Sequence, residues 1–226
     1  VNEAQCTMPI REVAVDIQGL NAGHTYKTEP ELQDKQLGAQ GVLVVRPYSG
    51  PWNWMSYETI ETIDQVLDAV YDKYDLPADT PLVLFGRSMG GVGALNYAHY
   101  GKHPVSAVAV NCPVTNLSYH CTERPDCAAT IYRAYNYYDC SVEEAVAQHD
   151  PMQFIDELPK VPYFFVAGDA DVSVNKGVHS DVYVPLMREK GYDVTYLEVS
   201  GMAHVDLLKH PEALKQYSDF IASFAK

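Results

Sequence analysis

The stretch from Leu82 to Gly91 reads LVLFGRSMGG. The apolar run Leu82–Phe85 suits a strand covered on both faces. Gly86 ends it, and Met89–Tyr100, rich in small residues, suits a buried helix. Between them Gly86, Ser88 and Gly90 fit G-x-S-x-G in a strand–turn–helix setting. So sharp a turn strains the backbone at Ser88 and lifts its hydroxyl above the sheet. Side chains on either side of it would collide, which explains Gly86 and Gly90. The Met89 N–H then lies at a helix N-terminus, where partial positive charge favours an oxyanion. Ser88 is the candidate nucleophile and Met89 a candidate oxyanion donor.

Outward from this turn, short apolar runs alternate with helical segments. Strands are expected at Val13–Gly19, Val42–Val45, Val105–Val110, Tyr163–Ala167 and Val194–Val199. Ile60, Ile63, Val66, Leu67, Val70 and Tyr74 form a helical stripe, with Pro77 just past its end. Further helices are expected over Val182–Lys190, stopped by Gly191, and over Pro211–Phe224. The pattern predicts an α/β fold, a mostly parallel sheet of about six strands flanked by helices. Residues 1–226 read as a single domain, with no internal repeat. Residues 112–160 are too long for a simple strand connection and read as a small cap-like insertion. It carries Tyr132, Tyr135, Tyr137, Tyr138 and a capped helix over Ser141–Gln148. The other reading is an ordinary extended crossover.

The chain has 226 residues, with 30 acidic against 16 basic side chains, for a formal charge of −14. That balance argues against nucleic acid and anionic membrane surfaces as partners. No apolar run approaches the ~20 residues of a membrane-spanning helix. Four of the five cysteines, Cys112, Cys121, Cys127 and Cys140, cluster in the insertion, apart from Cys6. The expectation is one or two disulfides and a secreted or extracytoplasmic protein. The alternatives are unpaired buried thiols in a cytoplasmic protein, or a zinc site, for which paired C-x-x-C spacing is missing.

A serine hydroxyl needs a base. Of eight histidines, His204 follows the last strand in Gly201-Met202-Ala203-His204, where a loop can return to the sheet edge. His24, His99, His103 and His210 lack that position, His120 and His149 lie in the insertion, and His179 is in or next to a helix. The base in turn needs an acid to hold its tautomer. Asp169 and Asp171 compete for that role in Gly168-Asp169-Ala170-Asp171-Val172-Ser173-Val174, after the fifth strand.

In this order, GRSMGG, GDADVSV and GMAH resemble the α/β-hydrolase superfamily, whose triad runs nucleophile, acid, histidine. The closest likeness is to single-domain esterases and prolyl-oligopeptidase-like hydrolases, from about residue 13 onward. There the acid is the fourth residue of G-x-x-D-x-x-V. The resemblance therefore implies Asp171 as the acid, with Asp169 as a hydrogen-bonder of the loop. It also implies a second oxyanion donor after the first strand, by position the backbone N–H of Leu20. The family's usual His-Gly is replaced there by Gln18-Gly19, a departure that leaves Gln18 to contact substrate or to order the loop. The antiparallel strands that usually open the fold are not evident.

The loop Arg46–Trp54 follows the second strand and should reach the same sheet edge, where ligands bind in open α/β sheets. Trp52 and Trp54 could wall the site for acyl, sugar or phenolic groups, or simply pack the loop. Arg87 could meet a substrate carboxylate or serve in a salt bridge. The implied activity is serine carboxylic-ester hydrolysis through an acyl-enzyme, on short acyl or carbohydrate-linked (acetyl or feruloyl) small-molecule esters. No metal or organic cofactor is required. A serine peptidase of the prolyl-oligopeptidase type and a non-catalytic binding protein of the same fold are the alternatives.

Overall fold

The computed structural model describes residues 1–21 and 30–226, so His24 lies outside the described residues. Six strands build one sheet: β1 (Glu12–Ile17), β2 (Val42–Val45), β3 (Leu82–Arg87), β4 (Ala107–Asn111), β5 (Tyr163–Gly168) and β6 (Val194–Val199). Their order is β2-β1-β3-β4-β5-β6, and every pairing is parallel. The chain reverses its direction of travel between β1 and β3. Their adjacent ends, Ile17 opposite Gly86, mark the switch point at which open α/β sheets bind ligands.

Why the strands are mostly apolar is visible in β1. Val13, Val15 and Ile17 point into one core, with Ala14 in the other. On the first face lie α2 (Tyr57–Lys73), α3 (Met89–Tyr100) and α7 (Ser180–Glu189). The second is covered by α1 (Leu32–Gly38), through Leu37, and α8 (Pro211–Ala222), through Ala213, Tyr217 and Ile221. The expected stripe of α2 is its buried face: Ile60, Ile63, Leu67 and Val70. Ser56 caps that helix by accepting from the Thr59 N–H, and Gly191, at φ 78°, follows α7.

Between β4 and β5 the chain forms α4 (Leu117–Glu123), α5 (Pro125–Tyr135) and α6 (Val142–Gln148). Their apolar faces make a third core with Trp54, Met89 and Val92. Polar bonds fasten them down. Tyr135 donates to the Trp54 carbonyl at 2.6 Å, and the Trp54 indole donates to Thr130 at 2.9 Å. His149 Nδ1–H donates to Asn96 of α3 at 3.0 Å, so its Nε2 accepts from the Tyr138 hydroxyl at 2.7 Å.

The cysteines correct one expectation. All five are free thiols. They sit in different layers: Cys6 packs against the first core, Cys112 is in the second, and Cys121 and Cys127 belong to the third, while Cys140 is exposed. Their clustering in sequence is not a clustering of sulfur atoms suited to disulfide geometry.

Candidate active site

The turn after β3 has the strained geometry its glycines imply. Ser88 sits at φ 55° and ψ −120°, and α3 begins at the next residue. Its N–H donates to the Asn111 carbonyl at 3.0 Å, while its own carbonyl accepts from Gly91 and Val92. A Cβ at Gly86 would run into the Gly90 carbonyl, and one at Gly90 into that of Ile17. The strained serine is thus wedged between β1 and α3, and only glycine fits beside it.

His204 and Asp171 meet across two loops. Nδ1 of His204 lies 2.8 Å from Oδ2 of Asp171, whose side chain is only 2% exposed. The other carboxylate oxygen accepts from the N–H groups of Ser173 and Val174, at 2.8 and 3.0 Å. Burial alone would raise the Asp171 pKa. The His204 bond and the two backbone donors outweigh it, and the carboxyl lies below its ordinary value. An ionised acceptor there assigns the proton to Nδ1 of His204 and leaves Nε2 as the basic nitrogen. Asp169 does other work: it accepts from the Gly201 N–H at 2.6 Å and from Ser200 at 3.1 Å, shaping the loop that carries His204.

Ser88 and His204 line one cleft of about 270 Å³. Leu20, Trp54 and Arg87 line it too, with His120 and Arg124 from the insertion. Among the described residues, the N–H groups of Met89 and Leu20 have no acceptor, so both expected oxyanion donors are free. The Arg87 side chain forms no ion pair or hydrogen bond among the described residues, whereas that of Arg124 is held by Asp126. Trp54 takes the left-handed region at φ 43° to reach the cleft wall. Trp52 lies elsewhere, in a shallow hollow with Arg133 over its ring and its indole donating to Asn21 at 2.6 Å. Gln18 does not line the cleft; its amide donates to the Gly50 carbonyl at 2.7 Å and ties the loops after β1 and β2 together.

Among the described residues, two groups bring metal-ligating atoms within 4.8 Å of one another: Cys112 with Asp171 and His204, and His120 with Glu123 and His179. In the first, burial pushes the Cys112 thiol up to about 12, while Asp171 and His204 are bonded to each other at 2.8 Å. In the second, Nδ1 of His179 accepts from the Thr115 and Asn116 N–H groups at 3.1 and 3.2 Å. The ring proton must then sit on Nε2, the nitrogen that faces Glu123 at 3.0 Å, and a protonated nitrogen cannot ligate. Asp171 is bonded to His204, and Glu123 to both His120 and His179. The place of His120 in the cleft had one faint sequence signal, the helical spacing of His120 and Glu123.

No family model matches the chain, and no curated protein sequence does. Solved structures do. The chain is similar to esterase B from Lactobacillus rhamnosis at 18% identity and a TM-score of 0.72, covering 96% of this chain and 76% of that one. It is similar to an S-formylglutathione hydrolase from Agrobacterium tumefaciens at 15% identity and TM-score 0.74, covering 98% and 86%. A puromycin-hydrolyzing peptidase from Mycobacterium tuberculosis gives 16% identity and TM-score 0.75, covering 95% of this chain but 35% of that protein. At these identities the likeness establishes the architecture: the chain has the α/β-hydrolase fold.

Proposed function

We propose that this α/β-hydrolase fold serves as a serine carboxylic-ester hydrolase acting on small-molecule esters. The observation that carries the proposal is the pairing of a strained Ser88 with an Asp171-bound His204 in a single cleft. Ser88 attacks the ester carbonyl while Nε2 of His204 takes its proton. The oxyanion is met by the N–H groups of Met89 and Leu20, both without other acceptors among the described residues. His204 then protonates the leaving alcohol, and Asp171 stabilises the imidazolium. Water then attacks the acyl carbon as His204 takes its proton, and His204 returns that proton to the Ser88 oxygen as the carboxylic acid leaves. The helices of residues 112–160 act as a cap, through His120, Arg124 and Cys127 in the cleft wall.

Hydrolysis of p-nitrophenyl acetate, butyrate and octanoate, beside methyl ferulate and acetylated xylan, tests this. Turnover that disappears in Ser88→Ala supports the proposal, and the ranking separates short-acyl from carbohydrate-linked esters. Inertness of the folded wild type on every ester would overturn it and bring peptide substrates forward.

A further inference from the structure

The insertion brings a second histidine to the cleft, and its protonation is fixed from behind. Glu123 Oε1 accepts from the Asn175 N–H at 2.7 Å. Oε2 lies 3.0 Å from Nε2 of His179 and 2.8 Å from Nδ1 of His120. The two backbone N–H groups on Nδ1 of His179 force that ring to donate through Nε2. Burial favours a protonated Glu123, but the bonds from His120, Asn175 and His179 overcome it and hold the carboxyl below its ordinary value. An ionised carboxylate can only accept, so His120 also donates, through Nδ1.

That leaves Nε2 of His120 carrying a lone pair. It has no partner among the described residues, and it is not among the sealed, unpartnered atoms of the interior. His120 is otherwise buried, at 2% exposure, and it lines the cleft that also holds Ser88 and His204. Burial also disfavours the charged ring. The cleft thus presents a fixed, neutral hydrogen-bond acceptor, with Trp54 at 5.9 Å between ring centres as its flat neighbour.

We infer that His120 is a specificity-determining residue whose Nε2 accepts a hydrogen bond from a hydroxyl group of the substrate. The inference rests on the ester-hydrolase reading of Ser88 and narrows it to hydroxylated esters. The hydroxyl can belong to a polyol or sugar alcohol, or to a hydroxylated acyl group; both offer the same O–H donor. An ester without it leaves a buried acceptor unpaired, and sites of that kind discriminate by about 10-fold or more.

Matched pairs test it. The alcohol arm compares glycerol monobutyrate with propyl butyrate, and the acyl arm compares p-nitrophenyl 3-hydroxybutyrate with p-nitrophenyl butyrate. In wild type, kcat/KM favours the hydroxylated member of at least one pair by about 10-fold. In His120→Phe, which keeps the ring and removes the acceptor, that ratio falls toward one, and His120→Gln restores part of it. A wild type without preference in either arm overturns the inference, as does a preference that His120→Phe leaves intact. Nitrogen NMR of histidine-labelled wild type gives a check that needs no variant: Nε2 of His120 must be unprotonated, and a proton there sinks the inference. Absence of Ser88-dependent turnover of all four esters, hydroxylated and plain alike, would instead condemn the ester-hydrolase reading beneath it.

Discussion

In the proposed mechanism the chemistry depends, after Ser88, on Asp171. It is buried and yet ionised, because one imidazole and two backbone N–H groups share its charge. Asp171→Asn keeps the shape but can donate from its amide, which favours the wrong His204 tautomer. Its expected cost in kcat is on the order of 10⁴, read from p-nitrophenyl acetate kinetics at unchanged thermal midpoint. A loss of less than tenfold would mean that Asp169 or another group holds the histidine. The two aspartates lie in one loop and differ only in partners, which is why residue type alone left both open. The motif G-x-x-D-x-x-V separated them; the structure gives the physical difference, since Asp169 is occupied with Ser200 and Gly201.

Among the elements, the junction of β1, β3 and α3 is the tightest. The Gly90 position faces the Ile17 carbonyl with no room for a methyl group. Gly90→Ala should lower stability by about 1–3 kcal/mol, read as a lower denaturation midpoint at unchanged m-value. A neutral result would show that β1 and α3 can part. In the insertion, Ser141 and Glu144 form a reciprocal capping box on α6. Ser141→Ala should cost about 1 kcal/mol by the same measurement, and no cost would mean that packing alone holds the helix.

All six strands were legible: β2, β4 as far as Val110, and β5 are unbroken apolar runs buried throughout, and even the edge strand β6, with Thr195 and Glu198 exposed, keeps enough apolar residues to stand out. Less of the helical layer was legible. α1 and α4 are seven residues each, too short to show a period. α5 does show one, with Cys127, Ile131, Ala134 and Tyr135 on its buried side, but the same cysteine also suits a disulfide framework. The candidate nucleophile, acid and base, Ser88, Asp171 and His204, could be picked out because each follows a strand. The bond network behind His120 was not, since His179 is 56 residues from Glu123 and meets it only through folding.

On the scale of the molecule, an acidic chain of net charge −14 keeps Arg87 and Arg124 in the wall of its cleft. It also buries a carboxyl that no cation among the described residues reaches. Glu12, at the start of β1, is fully buried, and burial pushes its pKa up to about 8. The backbone of Phe224 and Ala225 faces it, but outside hydrogen-bond geometry. The folded state therefore holds a proton that the unfolded chain releases near its ordinary value of 4.5. The stability this proton confers is fully present below that value and is lost as pH rises toward 8, with a limiting slope of about 1.4 kcal/mol per pH unit. Glu12→Gln should flatten the fall of the denaturation midpoint between those values and raise stability at the alkaline end. A wild-type midpoint independent of pH over that range would contradict the account.

The central claim is that Ser88 is an activated nucleophile in a formed site. Its most direct test is fluorophosphonate labelling followed by intact mass and peptide mapping. The account predicts a single adduct on wild type, located at Ser88 and lost in Ser88→Ala. A folded wild type that stays unlabelled, or an adduct that persists in Ser88→Ala, would contradict it.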